Sequence, residues 1–175
     1  MNQVAPLIVT ATLGTADQRR FDALRRAHYP AALNRVAAHL TLFQHLPPAR
    51  GAELVRLLKS IAAGPAPWAR VADIDALDRG VAFQVESPEL LAMRAHVAEW
   101  FAPDLMPVDR AVPRLHITVQ NKVTRAAARA LLAQLRADFR PAPLTITGFA
   151  IHHYRDGPWE PMAQLRFRAP ARGRY

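Results

Sequence analysis

Two short segments carry the same order of side chains. His39-Leu40-Thr41-Leu42 and His116-Ile117-Thr118-Val119 both read histidine, apolar, threonine, apolar, and they start 77 residues apart. Alternate residues of a strand face the same way, so each His stands beside its Thr, about 6.6 Å away at Cα, while the apolar pair enters a core. An imidazole and a hydroxyl so placed can address one phosphate. Two such sets suffice for phosphodiester hydrolysis: a neutral imidazole takes a proton from the attacking water, and a cationic one returns a proton to the leaving alcohol. The two hydroxyls can hydrogen-bond the phosphoryl oxygens on which charge sits in the transition state. That scheme calls for no metal and no other cofactor. Either motif alone describes an ordinary half-buried strand; its repetition points to catalysis. The near symmetry leaves open which histidine is the base.

Composition narrows the setting. The 175 residues are 51% apolar and 21% charged, enough to bury a core without disulfides or a structural metal. There are no cysteines, which excludes a thiolate nucleophile, Cys-bound zinc and iron–sulfur clusters. Of 23 basic side chains 21 are Arg, and the net charge of +9 suits a polyanionic partner such as RNA, although an Arg-rich proteome produces the same surplus. No apolar run is long enough for a membrane helix, and the first residues lack the basic lead of a secretory signal. A cytoplasmic protein with no membrane contact and no obligate protein partner is expected. Walker loops, dinucleotide glycine fingerprints and nucleophile elbows are missing.

The motifs need elements to hold them. Helical periodicity predicts helices over 17–28, 50–63, 88–101 and 124–139, with Asp17 and Thr124 as N-cap candidates and Pro88 in a first turn. Strand-like runs fall at 38–43, 69–77, 81–86, 115–120, 144–151 and 162–168. An opening strand places Leu7, Val9 and Ala11 on one face and Ile8, Thr10 and Thr12 on the other. Asp78-Arg79-Gly80 and Asp156-Gly157-Pro158 read as hairpin turns. The order β α β α β β α β α β β repeats itself across the two halves. No linker divides the chain, so one domain over 1–175 is expected, with a frayed tail from Ala169 to Tyr175.

Further candidates surround the motifs. Arg110, Arg114 and Lys122 flank the second motif and could hold phosphates; Arg166 and Arg168 could join them from an adjacent strand. Phe43, Tyr154 and Trp159 could stack on a base, with core packing an equal alternative. His45 reads as a solvated loop residue, Asp73 and Asp75 as a solvated strand face. His152 and His153 point to opposite sides of a strand, which argues against a shared metal.

The paired motifs resemble those of the 2H phosphoesterases, in particular the 2′-5′ RNA ligase-like branch. The likeness runs along nearly the whole chain, from PLIVTATL through HLTLF and LDRGVAFQVESPELLAMRAHV to RLHITVQNKV. It implies an α+β fold: a bilobal, duplicated βαβ-type structure with two small, mostly antiparallel sheets facing a central cleft. It implies that His39, Thr41, His116 and Thr118 are the catalytic set. It also implies opening of 2′,3′-cyclic phosphates, on an RNA 3′ end or a cyclic nucleotide, to 2′-phosphates, with reversible 2′-5′ ligation as a minor activity. Where many relatives carry an Arg soon after the second motif, this chain has Gln120-Asn121-Lys122. An RNA-binding module without turnover and a phosphoesterase for a non-RNA cyclic phosphate are the alternatives.

Overall fold

The structure is a computed structural model and describes residues 5–171. Strand β1 (Leu7–Leu13) leads through α1 (Thr15–His28) to β2 (Leu40–Leu46) and α2 (Gly51–Ala62). The hairpin β3 (Arg70–Leu77) and β4 (Gly80–Glu86) follows, then α3 (Pro88–Trp100), a single-turn α4 (Pro107–Arg110) and β5 (His116–Gln120). Helix α5 (Arg125–Ala137), the two-residue β6 (Ala142–Pro143) and the hairpin β7 (Ile146–His153) and β8 (Glu160–Arg166) complete it. Every predicted helix and strand is present, with ends displaced by a few residues; α4, β6 and three 3-10 turns are additional.

The strands form two antiparallel four-stranded sheets, ordered β2-β1-β7-β8 and β5-β4-β3-β6. Both motif strands are therefore edge strands, and β2 and β5 approach one another where the sheets meet. The helices are exchanged between the halves. Helix α1 leaves the first sheet and packs on the second, where Phe21 meets Phe83 edge-on at 5.3 Å and Phe83 meets Phe139 at 6.2 Å. Helix α3 leaves the second sheet and reaches β2 of the first. Helices α2 and α5 stay with the sheets that precede them. One apolar core runs through both halves, from Leu7, Val9 and Leu40 to Phe83, Ile117 and Val119.

Local chemistry explains the boundaries. Thr124 caps α5 by accepting from the Ala127 amide at 3.1 Å, and Ser87 caps α3 through the Leu90 amide at 3.2 Å. Asp17 does not cap α1, which begins after Gly14; its carboxylate accepts instead from the Thr145 amide at 2.9 Å and pins β7. Gly80 has no tolerable substitute, because a Cβ there would lie 2.0 Å from the Gln120 carbonyl oxygen. Of the tail expected to fray, Ala169 is tied down by the Ala66 amide at 2.8 Å, and residues 172–175 lie outside the described region. No helix among the described residues is long and apolar enough to cross a membrane.

Candidate active site

Each motif presents its polar pair on the open side of its sheet. Leu40, Leu42, Ile117 and Val119 are buried, whereas Thr41 and Thr118 are half-buried and His116 is exposed. His39 immediately precedes β2 and His116 opens β5. Thr41 pairs with Thr10 of β1, and Thr118 with Ala82 of β4. Across the junction of the sheets the two imidazoles are close enough for the charge of His116 to act on His39.

Their orientation is set in the same way. Nδ1 of His39 lies 2.8 Å from the Ala37 carbonyl oxygen, and Nδ1 of His116 lies 2.8 Å from the Arg114 carbonyl oxygen. A carbonyl can only accept, so Nδ1 carries a proton in each ring and Nε2 is the atom left for a substrate. The surroundings then differ. The Trp159 ring stands 4.6 Å from that of His39, which lines a cavity of about 400 Å³ with Thr10, Thr12, His152 and Gln164. Burial holds His39 below the ordinary imidazole range. The Ala37 carbonyl opposes that shift, while Arg25, His116 and His152 add to it.

Edge strands leave main-chain groups without sheet partners, and two buried arginines answer for these. Arg25 of α1 donates from Nη1 to the Thr118 carbonyl at 2.9 Å and from Nε to Asn34 Oδ1 at 3.0 Å, lying over the Tyr29 ring. Arg94 of α3 donates from Nε to the Leu42 carbonyl at 2.9 Å and from Nη2 to the Asp109 carbonyl at 2.6 Å, lying over the Phe43 ring. Buried Asp109 accepts from the Gln44 and His45 amides, both at 2.8 Å. Each motif strand is thus held by an arginine on a helix exchanged from the other half.

A model of the 2′-5′ RNA ligase superfamily matches residues 14–158. The chain belongs to that superfamily. Solved structures agree on the fold at low identity. LigT of E. coli complexed with 3′-AMP superposes with a TM-score of 0.62 at 16% identity, covering 95% of this chain and 99% of LigT. TT0787 of Thermus thermophilus gives 0.61 at 17%, covering 94% and 98%, and LigT complexed with NADP+ gives 0.60 at 18%, covering 94% and 99%. No curated protein sequence matches the chain.

In this ligase-superfamily chain the remaining candidates part company. Phe43 is a correction: it is 1% exposed and closed to a base. A β-bulge is the reason. Thr10 pairs with Thr41 and the next residue back, Val9, with Phe43, so Leu42 is supernumerary and Phe43 turns to the core side with Val9. Trp159 does wall the cavity, but Tyr154 is exposed and does not line it. Arg114 is largely exposed and ion-paired with Asp75 at 3.2 Å. Lys122 sits exposed beyond the far end of β5 from His116, its backbone at φ 61°. Arg110 donates to the Leu105 carbonyl at 2.9 Å; Arg166 and Arg168 are exposed and do not line the His39 cavity. His45 is solvated, as expected.

Sequence reading missed Arg25, Arg94, Asp109 and the cavity face of His152. A signal existed for the first two. Phe21 and Arg25, like Leu90 and Arg94, are buried pairs four residues apart, so each Arg interrupts the inward stripe of its helix.

Proposed function

We propose that the protein is a phosphodiesterase that opens 2′,3′-cyclic phosphates, on RNA 3′ ends or as nucleotides, to 2′-phosphates, with reversible 2′-5′ ligation, in which an RNA 5′-hydroxyl takes the place of the attacking water, as a minor activity. The observation that carries this reading is the pair of His-x-Thr edge strands at one junction, each imidazole tethered through Nδ1 with Nε2 unused. Nε2 of His39 takes the proton of a water as its oxygen attacks phosphorus. The P–O3′ bond breaks, and Nε2–H of His116 protonates the departing O3′. The products are a 2′-phosphate and a free 3′-hydroxyl. His39 is the base in this direction because burial and the nearby Arg25 favour its neutral form. The Thr41 and Thr118 hydroxyls donate to the two non-bridging oxygens. The complexes of LigT with 3′-AMP and NADP+ support a nucleotide in this fold.

The test is turnover of a 2′,3′-cyclic nucleotide in excess EDTA, with 2′- and 3′-phosphate products separated by chromatography. The expected result is 2′-phosphate at an undiminished rate. Binding without product would favour an RNA-binding module, and a 3′-phosphate would contradict the stated bond cleavage.

A further inference from the structure

Besides His39, one more imidazole lines the same cavity. His152 lies on β7 opposite Ile8 of β1 and Pro161 of β8, and it lines the His39 cavity, whereas its neighbour His153 turns away. The Trp159 ring stands beside both histidines, 4.6 Å from His39 and 5.5 Å from His152, tilted by 56° and 46°. We propose that His152 is a specificity-determining hydrogen-bond donor to the heterocycle of the substrate nucleoside, which lies against Trp159 on the His39 side of the cleft. This assignment rests on the cyclic phosphodiesterase reading above.

Its tautomer separates His152 from the motif histidines. His39 and His116 each direct Nδ1 at a carbonyl, but Nδ1 of His152 is buried with no partner. A proton there would be a buried donor without an acceptor, so the neutral ring carries its proton on Nε2. Adding a second proton would create that same unanswered donor. Burial accordingly disfavours the charged ring. His152 is therefore fixed as an Nε2–H donor and is unsuited to shuttling protons or to acting as a cation for phosphate.

The cavity suits a flat, neutral, acceptor-bearing group. At about 400 Å³ it falls within the range of small-molecule sites. Beside Trp159 its polar lining includes Thr10, Thr12 and Gln164. Its charged residues are one of each sign, Arg35 and Asp22, and the Asp22 carboxylate is already engaged by the Ala38 amide and the Gln18 side chain. The corresponding face of the other sheet is different. There the rows running from His116 and Thr118 cross Gln84 and Ala82 and end at Asp73 and at Asp75, which is ion-paired with Arg114, and these rows offer no ring to stack on. The motifs are symmetric, but the walls beside them are not, and a nucleoside is thereby directed to the His39 side.

The experiment compares a 2′,3′-cyclic nucleotide with methyl riboside 2′,3′-cyclic phosphate, which lacks the heterocycle. His152→Leu should raise KM for the nucleotide about tenfold with kcat within about twofold, and leave both constants for the methyl riboside unchanged. His152→Gln, whose amide places a donor near the position of Nε2, should recover most of the loss and covers the case in which the leucine variant folds poorly. An unchanged KM, an equal rise on both substrates, or a fall in kcat with a shifted pH profile would each overturn the assignment. Failure of the wild-type protein to turn over either substrate would instead remove the reading on which it rests.

Discussion

Arg25 and Thr118 belong to different halves of the chain, yet the guanidinium of the first donates to the main-chain carbonyl of the second at 2.9 Å. The bond satisfies an edge-strand carbonyl beside a catalytic candidate and places a fixed positive charge near His39. Arg94 does the same for the Leu42 carbonyl on the other motif strand. The relative placement of the two motifs is thus tied to two hydrogen bonds, from buried arginines, that cross between the halves.

Removing either brace should cost both stability and rate. Arg94→Met strands the buried Leu42 carbonyl, for about 1–3 kcal/mol in urea unfolding, and Arg25→Met, which frees a part-buried carbonyl, should cost less. Displacing a motif strand even slightly should lower kcat about tenfold or more, with KM nearly unchanged. Arg94→Lys keeps a charge but cannot reach both the Leu42 and Asp109 carbonyls, so it should recover only part. Wild-type kcat in folded Arg→Met variants would show that the braces do not position the motifs.

The motif side chains themselves should separate by role. His39→Ala and His116→Ala are each expected to lower turnover at least about a hundredfold, the scale of a lost general acid or base. Thr41→Ala and Thr118→Ala should lose less, about tenfold to a hundredfold, through one missing hydrogen bond to the phosphoryl group. His116 is exposed and the other three are only half-buried at the cleft, so all four variants should melt close to the wild type. Near-normal turnover in either histidine variant rules out the two-imidazole scheme.

The pH dependence follows from the environment of His39. Burial, first, then Arg25 and the neighbouring imidazoles hold its folded-state proton affinity below the ordinary value near 6.5. The neutral base therefore persists below pH 6.5, and the acid limb of kcat/KM should bend beneath that value. In the unfolded chain the same ring protonates near 6.5, so U binds more protons than N there, and stability should fall as pH drops through 6.5. His152, shifted in the same direction by burial, adds to the fall. NMR titration of His39 gives the check: a midpoint at or above 6.5 would contradict this account.

Salt should reveal whether the basic surplus serves the substrate. An RNA ending in a 2′,3′-cyclic phosphate should have a lower KM than a cyclic mononucleotide at low salt, and the advantage should shrink between about 50 and 200 mM as counterion release weakens. Lys122→Ala, which removes an exposed charge after β5, should reduce the salt slope for RNA only. Equal KM values for the two substrates at both salts would favour a small cyclic phosphate instead.

Much of the molecule was legible in one dimension. The two His-x-Thr segments, the alternation that buries Leu40 and Ile117 beside them, the Thr124 cap and the turn at Asp78-Arg79-Gly80 are all local, because strand alternation and capping depend on neighbours a few residues away. The order of elements followed from the same short-range rules. What lay beyond them were relationships between distant residues. A single bulged residue, Leu42, took Phe43 out of the cleft, and bulges arise from pairing with another strand rather than from the strand's own pattern. The exchange of α1 and α3 made Arg25 and Arg94 partners of carbonyls 93 and 52 residues away. Trp159 and His152 became a wall and a donor beside His39 only when the β7–β8 hairpin was laid along β1. Residue type and spacing set which groups can do the chemistry. Packing of remote segments set where they meet, which imidazole is buried and which nitrogen of each ring is free, since these depend on burial and on partners that no neighbour along the chain supplies.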